Sequence, residues 1–352
     1  MKGENMIYPK VSIIILNWNG WKDTIECLES LYQISYPNYD VIVVDNGSKN
    51  ESIQKINEYC KGKIKVESKF FEYSPENKPI KIIEYTREEA EAGGGKEKEN
   101  ADLASDRKLI IIKNEKNYGF AEGNNIGMRH ALTALKPDYI LLLNNDTVVD
   151  KEFLGELVKV GESGERIGIV GPKIYYYDDT KRLWGAGNRK SINKINEERF
   201  NNIIEVNWVV GCAFFIKASV ADKVGLLDPD LFLYGEEDDY CKRVKKAGYK
   251  LYFSHSSIIW HKSSLQGNHL KPYQVYYSSR NRIILLRKNY PSIRFYKFML
   301  GYFFIDRPLY VLQLLKSGRY NLIIPMFKGI KDGFLWYLGM MQAGENKSIK
   351  LQ

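Results

Sequence analysis

Short apolar runs alternate with helical patterns along the first half of the chain. The runs are β-branched or Leu-rich and too short for helices, which is typical of buried parallel strands. They occupy residues 11–16, 41–44, 109–112 and 139–143. Stretches with a helical spacing of apolar positions lie between them, at residues 21–33, 48–60 and 121–135. This order predicts an α/β fold with a mostly parallel sheet and right-handed crossovers.

The pattern changes after residue 146. Strand patterns at 167–171, 173–177, 205–216, 249–253 and 257–260, with a helix at 236–247, predict a small mixed extension. Helical runs near 273–289, 294–315 and 322–341 predict a helical C-terminal appendage. Between the second and third strands, the insertion 61–108 has a charged, Gly-rich core at 88–99, which we interpret as a mobile surface loop. The predicted domains are therefore 1–270 and 271–352.

Charge separates the same two regions. The chain has 52 Lys+Arg and 43 Asp+Glu, a formal net charge of +9. Residues 271–352 hold 14 Lys+Arg and 3 Asp+Glu, so this region carries +11 and residues 1–270 carry −2. A near-neutral body with a basic, aromatic tail disfavours a nucleic-acid-binding protein and predicts peripheral contact with an anionic membrane. The alternative is a helical packing lobe with a basic solvent face.

Cysteine usage and the N-terminus bear on the compartment. Cys27, Cys60, Cys212 and Cys241 are widely spaced without a CxxC pair, so neither a disulfide scaffold nor a structural zinc site is predicted. No apolar segment typical of a secretory signal precedes the first strand. Because no stretch of about 18–20 residues is free of charge, no transmembrane helix is predicted. These features favour a cytoplasmic protein.

Polar side chains follow the predicted parallel strands where each strand ends. Asn17 follows the first, Asp45 and Asn46 follow the second, and Asn144-Asn145-Asp146 follows the fourth. The third strand leads through Lys113 to Asn114. In open α/β sheets these carboxyl ends lie along one edge, where ligands bind. Two of the sets contain an Asp, which suits a nucleotide and a metal.

Each candidate carboxylate has a structural alternative. Asp146 can help to bind Mg²⁺ or Mn²⁺ together with substrate phosphates, although Asn-Asn-Asp-Thr is also good turn chemistry. Asp45 can accept a hydrogen bond from a base or a ribose, and the alternative is a turn with Gly47 at positive φ leading to a Ser48 helix cap.

Four consecutive acids, Glu236-Glu237-Asp238-Asp239, open the helix predicted at 236–247. One of them can act as a general base that removes a proton from an acceptor hydroxyl. The alternative is a helix N-terminus favoured by the macrodipole, with pairs to Lys242 and Arg243. His261 closes an apolar run and can contact a metal or a phosphate, or simply end a strand.

Taken together, these segments resemble a known family. VSIIILNWNG, VIVVDNGS, NYGFAEGNNIG, LLLNNDTVV, VVGCAFFIK and the segment from GLLDPD to IIWH occur in that order. They resemble the family 2 glycosyltransferases of the GT-A fold, in particular the rhamnosyltransferase-like branch. The resemblance covers about residues 10–261 and continues more weakly through YYSSRN (276–281) and FKGIKDG (327–333).

The resemblance implies a fold and an activity. The fold is a mostly parallel, Rossmann-like sheet flanked by helices, with a small mixed extension and a helical C-terminal appendage. The activity is inverting transfer of a sugar from a nucleotide-sugar donor to a hydroxyl of a glycan or lipid-linked acceptor, including rhamnosyl transfer, at the inner face of the cell membrane. The alternative is a catalytically inactive nucleotide-sugar-binding subunit. No GxGxxG follows the first strand, which disfavours a dinucleotide dehydrogenase.

The resemblance also assigns roles to residues. Those on the donor side are Asn17, Asn19, Asp45, Asn114, Asn117, Gly119, Asn125, Asn144 and Asn145. Asp146 and His261 would bind a divalent metal, Mg²⁺ or Mn²⁺, with Asn144 standing where the DxD-type motif has its first Asp. Glu237 occupies the position of the catalytic base, usually Asp, and the assignment stays open between Glu237 and Glu236. Asp239 is a further acid, and the acceptor side is formed by Trp208, Gly211 and Arg243.

Overall fold

The computed structural model describes residues 8–100, 102–185, 203–263 and 270–349, with side chains to residue 340. The chain divides into two compact units. One comprises residues 1–227 and 240–265, and the other comprises residues 228–239 and 266–352. The sequence predicts a single domain boundary after residue 270. In the structure the short segment 228–239 belongs with the C-terminal helices, although it precedes them by some thirty residues in the sequence.

The first unit is built on one sheet. Its eleven described strands are β1 Val11–Asn17, β2 Tyr39–Asp45, β3 Lys81–Thr86, β4 Lys108–Lys113, β5 Tyr139–Asn144, β6 Thr147–Val149, β7 Ile167–Tyr176, β8 Leu183–Gly185, β9 Ile204–Val206, β10 Ala213–Lys217 and β11 Lys250–His261. The order is β3-β4-β2-β1-β5-β10-β7-β11-β6, with β8 beside β7 and β9 beside β11. The strands β3, β4, β2, β1 and β5 run parallel to one another, whereas β10 is antiparallel to β5. The predicted α/β fold with a mixed extension is confirmed.

Helices cover both faces of this sheet. They are α1 Trp21–Leu31, α2 Ser52–Cys60, α3 Arg87–Glu91, α4 Gly119–His130, α5 Phe153–Glu162, α6 Ala218–Val224 and α7 Glu236–Lys246. Because successive side chains of a strand point to opposite faces, Ile13 and Ile15 of β1 belong to one core and Ile14 to the other. Strands buried on both faces read as continuous apolar runs, which explains why β1, β2, β4 and β5 were predictable.

The interpretation of residues 88–99 as a loop was wrong. The insertion contains the edge strand β3, which runs parallel to β4, followed by α3 and a 3₁₀ turn at Lys96–Asn100. A capping box begins α3. Thr86 Oγ1 accepts a hydrogen bond from Glu89 N at 3.2 Å, and Glu89 accepts one from Thr86 N at 2.8 Å. Only Ile83 and Tyr85 of β3 are buried. Because the residues between and around them are polar or partly exposed, the sequence of this edge strand resembles that of a polar loop.

The mixed part of the sheet also differs from the prediction. Residues 205–216 do not form one strand, because β9 pairs with β11 whereas β10 lies between β5 and β7. Conversely, the strand pairs predicted at 167–177 and at 249–260 are the single long strands β7 and β11. These two run parallel, with an irregularity between Ser254 and Ile258 that shifts their register.

The second unit is helical. Its helices are α8 Pro272–Asn289, α9 Ser292–Gly301, α10 Arg307–Lys316 and α11 Ile323–Ile349, with a π turn at Tyr302–Asp306 between α9 and α10. Phe295, Tyr302, Leu314 and Met326 are among the buried residues of its core. By length and composition the stretch Ser292–Lys316 could cross a membrane, with 17% of its apolar window buried, whereas the sequence predicted no such helix.

Candidate donor site and acidic helix

Asn17 and Asp45 form a buried pair at the carboxyl ends of β1 and β2. The two residues are register partners in the parallel ladder, and Asn17 Nδ2 donates to Asp45 Oδ1 at 2.7 Å. Asn17 Oδ1 in turn accepts from Thr24 Oγ1 at 2.9 Å. The side chains of both residues are therefore held in place by α1 and by each other.

The predicted turn with Gly47 at positive φ follows Asp45, but the predicted Ser48 helix cap was wrong, because α2 begins at Ser52 after Glu51. Asp45 accepts hydrogen bonds from Ser48 N at 3.1 Å and from Ser48 Oγ at 2.6 Å. Gly47 has φ +71°, and a Cβ there would lie 2.5 Å from the carbonyl carbon of Lys116, so only glycine fits. Asn19 joins this turn through its Oδ1, which accepts from Lys49 N at 2.8 Å. Oδ2 of Asp45 keeps acceptor capacity for a further donor.

Asn46 links the turn to the loop before α4, and the sequence analysis gave it no role. Its Oδ1 accepts from Asn114 Nδ2 at 3.1 Å, and its Nδ2 donates to Asn117 Oδ1 and to the carbonyl of Gly119, each at 3.0 Å. Gly119 has φ +82°, which favours glycine where α4 begins. Three predicted donor-side residues thus meet around Asn46, which was not predicted and whose only signal in the sequence is its place beside Asp45.

Two of the predicted site residues are engaged with backbone. The Asn125 amide pairs with Leu227 in both directions, donating to its carbonyl at 2.8 Å and accepting from its N–H at 3.0 Å. The Arg243 guanidinium donates to the carbonyls of Val224 and Leu226 at 3.0 and 2.7 Å. Both side chains hold the chain around the end of α6, and their predicted roles at the donor and acceptor sides stay predictions.

Asp146 and His261 meet at the ends of β5 and β11. Because β11 runs antiparallel to β6 with His261 opposite Thr147, the imidazole lies beside the residue that precedes β6. His261 Nε2 is 3.2 Å from Asp146 Oδ1. The His261 ring is mostly buried against the edge of Trp184, with the ring centroids 4.8 Å apart, while the Asp146 side chain stays 36% exposed. One side of the carboxylate is fixed and the other is accessible.

The surroundings favour the charged form of Asp146. Burial alone would raise its pKa, but the hydrogen bond and charge of His261, with a further contribution from Lys262, lower the pKa below the ordinary value. The Lys262 ammonium is itself held by Asp23 at 2.5 Å and Glu26 at 2.6 Å. These two carboxylates offset the charge of Lys262, and no local sequence pattern predicts this ion-pair cluster beside Asp146.

The residues around Asp146 fit a divalent cation. Asn144 Oδ1 and His261 Nδ1 are buried without a hydrogen-bond partner among the described residues. Asn145, in contrast, has a hydrogen-bond partner, because its Nδ2 donates to Thr24 Oγ1 at 3.0 Å. No group of three or more His, Cys, Asp or Glu side chains suited to a metal occurs in the part of the chain that the structure describes. Mg²⁺-type sites commonly have one or two protein carboxylates, with substrate phosphates and waters as the remaining ligands.

The predicted acceptor-side residues Trp208 and Gly211 lie in the segment between β9 and β10. The Trp208 ring packs against the core that contains Ile14, and its indole Nε1 is buried without a hydrogen-bond partner among the residues described. Gly211 is half-buried. An indole with an unused N–H suits a polar ligand, so the acceptor role stays a prediction.

Glu236, Glu237 and Asp239 form the first turn of α7, as the sequence predicted. Glu236 is 5% exposed, and its Oε2 has no hydrogen-bond partner in the described part of the chain. Burial, followed by the negative charge of Glu237, raises the pKa of Glu236 well above the ordinary carboxyl value. Glu237 is half-buried, and Asp239 is buried. The pair therefore contains one acid that favours its neutral form beside a second carboxyl group.

A family model described as glycosyl transferase family 2 matches residues 12–77 and 96–225, which is more than half of the chain. The unmatched residues between these segments include β3 and α3. The matched segments include Asn17, Asp45, Asn114 and Asp146, whereas His261 and the acids of α7 lie beyond them.

Two relatives extend the comparison. The chain is 26% identical over 188 residues to the low-salt glycan biosynthesis hexosyltransferase Agl10 of Haloferax volcanii, which covers 48% of this chain and 57% of that protein. It is 29% identical over 154 residues to the rhamnosyltransferase WbbL of Escherichia coli K12, covering 39% and 58%. The chain thus spans somewhat more than half the length of these relatives.

The fold has solved counterparts. The structure of the mannosyltransferase PcManGT from Pyrobaculum calidifontis, in complex with GDP-Man and Mn²⁺, matches 98% of this chain and 81% of its own with a TM-score of 0.52 at 12% identity. At this identity the likeness concerns the fold. It confirms the GT-A architecture predicted from the ordered motifs.

Proposed function

Because the chain belongs to glycosyl transferase family 2, we propose that it transfers a sugar from a nucleotide-sugar donor to a hydroxyl group of a glycan or lipid-linked acceptor, with inversion at the anomeric carbon. The observation that carries this proposal is the pair of polar clusters at the carboxyl ends of one parallel sheet, Asn17 with Asp45 and Asp146 with His261. Such sheet edges are where open α/β folds bind nucleotides. The similarity to the hexosyltransferase Agl10 supports transfer of a hexosyl group, and the similarity to the rhamnosyltransferase WbbL supports rhamnose as that sugar.

Donor binding is assigned to the first cluster. Asp45 is held by Asn17 and Ser48 with acceptor capacity left on Oδ2, which suits a base N–H or a ribose hydroxyl. The Asn46 network fixes the loop at 114–119 beside it. A carboxylate restrained in this way loses little conformational entropy when it binds a ligand, and this favours affinity.

Diphosphate binding is assigned to the second cluster. Asp146 and His261 would hold a divalent cation, and the Mn²⁺ in the PcManGT complex supports this choice. A bound divalent cation supplies Lewis-acid stabilisation to the charge that develops on a leaving diphosphate.

Proton removal is assigned to the acidic turn of α7. In a single displacement the acceptor hydroxyl attacks the anomeric carbon and the bond to the diphosphate breaks, while a carboxylate takes the hydroxyl proton. Glu237 is the base in this proposal. Burial and the neighbouring Glu237 raise the pKa of Glu236, which disfavours a second negative charge beside the base. Inversion follows from one displacement, with no covalent intermediate on the protein.

The proposal is tested with a panel of UDP-, GDP- and dTDP-sugars. We expect metal-dependent binding of one donor by calorimetry, with slow release of its nucleotide and faster release when an acceptor is present. Asp45→Asn should weaken donor binding about 10- to 100-fold, because hydrogen bonds to a charged acceptor contribute about 1.5–3 kcal/mol. The exposed carboxylate of Asp178 offers a matched control, Asp178→Asn.

Two results would contradict the transferase proposal in different ways. Binding of a donor without transfer to any hydroxyl acceptor would favour the catalytically inactive subunit. Failure of a folded protein to bind any donor of the panel, with or without Mn²⁺, would remove the nucleotide-sugar assignment itself.

We further propose that the C-terminal unit attaches the protein to an anionic membrane at its cytoplasmic face. In the stretch Ser292–Lys316, Ile293, Phe304, Ile305 and Leu309 are each at least 60% exposed. The exposed ammonium groups of Lys297 and Lys316 lie on the same stretch. Exposed apolar side chains between cations are typical of helices that lie in the headgroup region of a bilayer. This placement suits a lipid-linked acceptor.

Vesicle flotation tests the membrane proposal. We expect the protein to float with vesicles of phosphatidylcholine and 30% phosphatidylglycerol, and to bind them more weakly as salt increases. The double variant Ile305→Ser with Leu309→Ser should reduce binding by about tenfold or more, since each buried aliphatic side chain contributes about 1.5–3 kcal/mol. Leu103→Ser changes an exposed apolar residue of the first unit and serves as the control. Equal flotation of both variants and wild type would contradict the assigned surface.

A further inference from the structure

The segment that leads into the acidic turn has an unfavourable backbone. Phe232, Tyr234 and Gly235 have φ values of +44°, +72° and +96°. Positive φ is costly for residues with a bulky side chain, and such residues keep it only where their surroundings impose it. Glu236 and Glu237 follow this segment directly. Whatever holds the segment therefore determines where the first turn of α7 begins.

The Asn281 side chain on α8 supplies that restraint. Its Nδ2 lies 2.5, 2.8 and 2.8 Å from the carbonyl oxygens of Leu231, Leu233 and Tyr234. The residue is 1% exposed. The two N–H donors of this amide are thus shared among three carbonyls of the segment. An isosteric carboxylate cannot replace it, because Asp would place acceptor oxygens against acceptor oxygens.

Neighbouring residues fix the orientation of this amide. Arg280 donates to Asn281 Oδ1 at 2.8 Å and to the carbonyl of Asp230 at 2.6 Å. The Phe232 ring stacks on Tyr277 with ring centroids 4.9 Å apart, and Gln274 donates to the Tyr234 hydroxyl at 3.0 Å. Gln274, Tyr277 and Asn281 are three and four residues apart, so they lie on one side of α8.

The contacts between α8 and α11 explain the second weakly similar motif, FKGIKDG (327–333). On α11, a Cβ at Gly329 would lie 2.2 Å from the Tyr276 carbonyl oxygen, and one at Gly333 would lie 2.9 Å from that of Arg280. The Tyr276 hydroxyl donates to Asp332 at 2.7 Å. FKGIKDG therefore lets α11 approach α8 closely, and YYSSRN connects that contact to the segment before α7.

We propose that Asn281 is a positioning residue for the acid pair Glu236–Glu237. It restrains the carbonyls of residues 231, 233 and 234, so that the first turn of α7 presents Glu237 in one fixed place. Asn281 itself contacts no substrate in this assignment. The catalytic consequence depends on the proposed function, whereas the restraint on residues 231–240 does not.

Asn281→Ala and Asn281→Asp test the proposal, with Tyr276→Phe as a matched control that loses a hydrogen bond to α11. We expect both Asn281 variants to lower the transfer rate constant about 10- to 100-fold, because small displacements of a reacting group have effects of this size. Donor affinity should stay within about twofold, since the donor residues lie in the other unit. Tyr276→Phe should retain nearly the full rate.

A double-mutant cycle separates positioning from general weakening of the fold. In a Glu237→Gln background, Asn281→Ala should cause little further loss, because the group that it positions is already absent. Equal losses in both backgrounds would overturn the proposal, because they would indicate a structural role without a link to Glu237.

Amide hydrogen exchange provides a measurement that needs no activity. We expect Asn281→Ala to raise exchange of residues 231–240 at least about tenfold, with no such change in Tyr276→Phe. Unchanged exchange in this segment would overturn the restraint. If the wild type transferred no sugar at all, hydrogen exchange would still show whether Asn281 restrains residues 231–240. The positioning role of Asn281 and the transferase function can therefore be rejected independently of each other.

Discussion

Glu237→Gln is expected to lower the rate constant of sugar transfer by about 10²- to 10⁴-fold, the usual contribution of a general base. Gln keeps the shape of the side chain but cannot take a proton from the acceptor hydroxyl. Donor affinity should change by less than about threefold, because the predicted donor residues lie at or after the ends of β1, β2, β4 and β5 and in α4, and none lies on α7. Single-turnover transfer and donor binding, measured on the same preparation, check this result.

The neighbouring acid gives the matched comparison. Glu236→Gln should cost less than about tenfold in transfer, since Gln resembles the neutral form that the raised pKa of Glu236 already favours. The reverse outcome, with Glu237→Gln active and Glu236→Gln inactive, would make Glu236 the base. The acidic limb of the pH–rate profile would then lie above the ordinary carboxyl range, because a base must be ionised and Glu236 loses its proton only at a raised pH.

Stability against pH reports on Glu236 without any substrate. Its folded-state pKa is raised above the ordinary value of 4.5, so above that pH the folded protein binds more protons than the unfolded chain. Stability must then fall as pH rises through this window. Glu236→Gln should remove that fall, so the variant should melt at a higher temperature than wild type at pH 8 and at the same temperature near pH 4. Equal melting temperatures at both pH values would show that the burial of Glu236 has no energetic cost.

The parts of the fold that the sequence predicts are those with strong local signals. β1 and β2 are apolar on both faces, and their carboxyl ends must lie side by side in a parallel sheet. The meeting of Asn17 with Asp45 was therefore expected. β3 was missed because an edge strand buries only alternate residues, and here its exposed positions are charged or polar.

The parts that escaped prediction depend on contacts between distant segments. Asn46 and Lys262 each make contacts with residues from other elements, and no local pattern indicates those partners. The contacts of Asn125 and Arg243 with the backbone of Leu227 and Leu226 were likewise not predicted, and the site roles that the resemblance gives them stay predictions. The contact between Asp146 and His261 depends on the register of β11 against β6, which the sequence alone does not determine.

Asp146→Asn is expected to weaken Mn²⁺-dependent donor binding by about 100-fold or more, since even the outer partners of a metal ligand contribute 10- to 100-fold. The carboxylate is accessible on one side and held by His261 on the other, so the variant removes charge without removing volume. Donor affinity without Mn²⁺ should be unchanged. Titration of Mn²⁺ against protein with a saturating nucleoside diphosphate, followed by electron paramagnetic resonance, measures the cation directly and does not depend on catalysis.

A second interpretation of the same contact makes a different prediction. If Asp146 and His261 form only a structural ion pair, Asp146→Asn should lower the melting temperature while leaving the Mn²⁺ affinity and the metal dependence of donor binding unchanged. Breaking a half-buried pair of this kind removes the favourable interaction that lowers the pKa of Asp146. The control Asp178→Asn should change neither quantity. Asn144, two residues before Asp146, has a buried side-chain oxygen without a hydrogen-bond partner among the described residues. This favours the cation, because such an oxygen is available as a ligand.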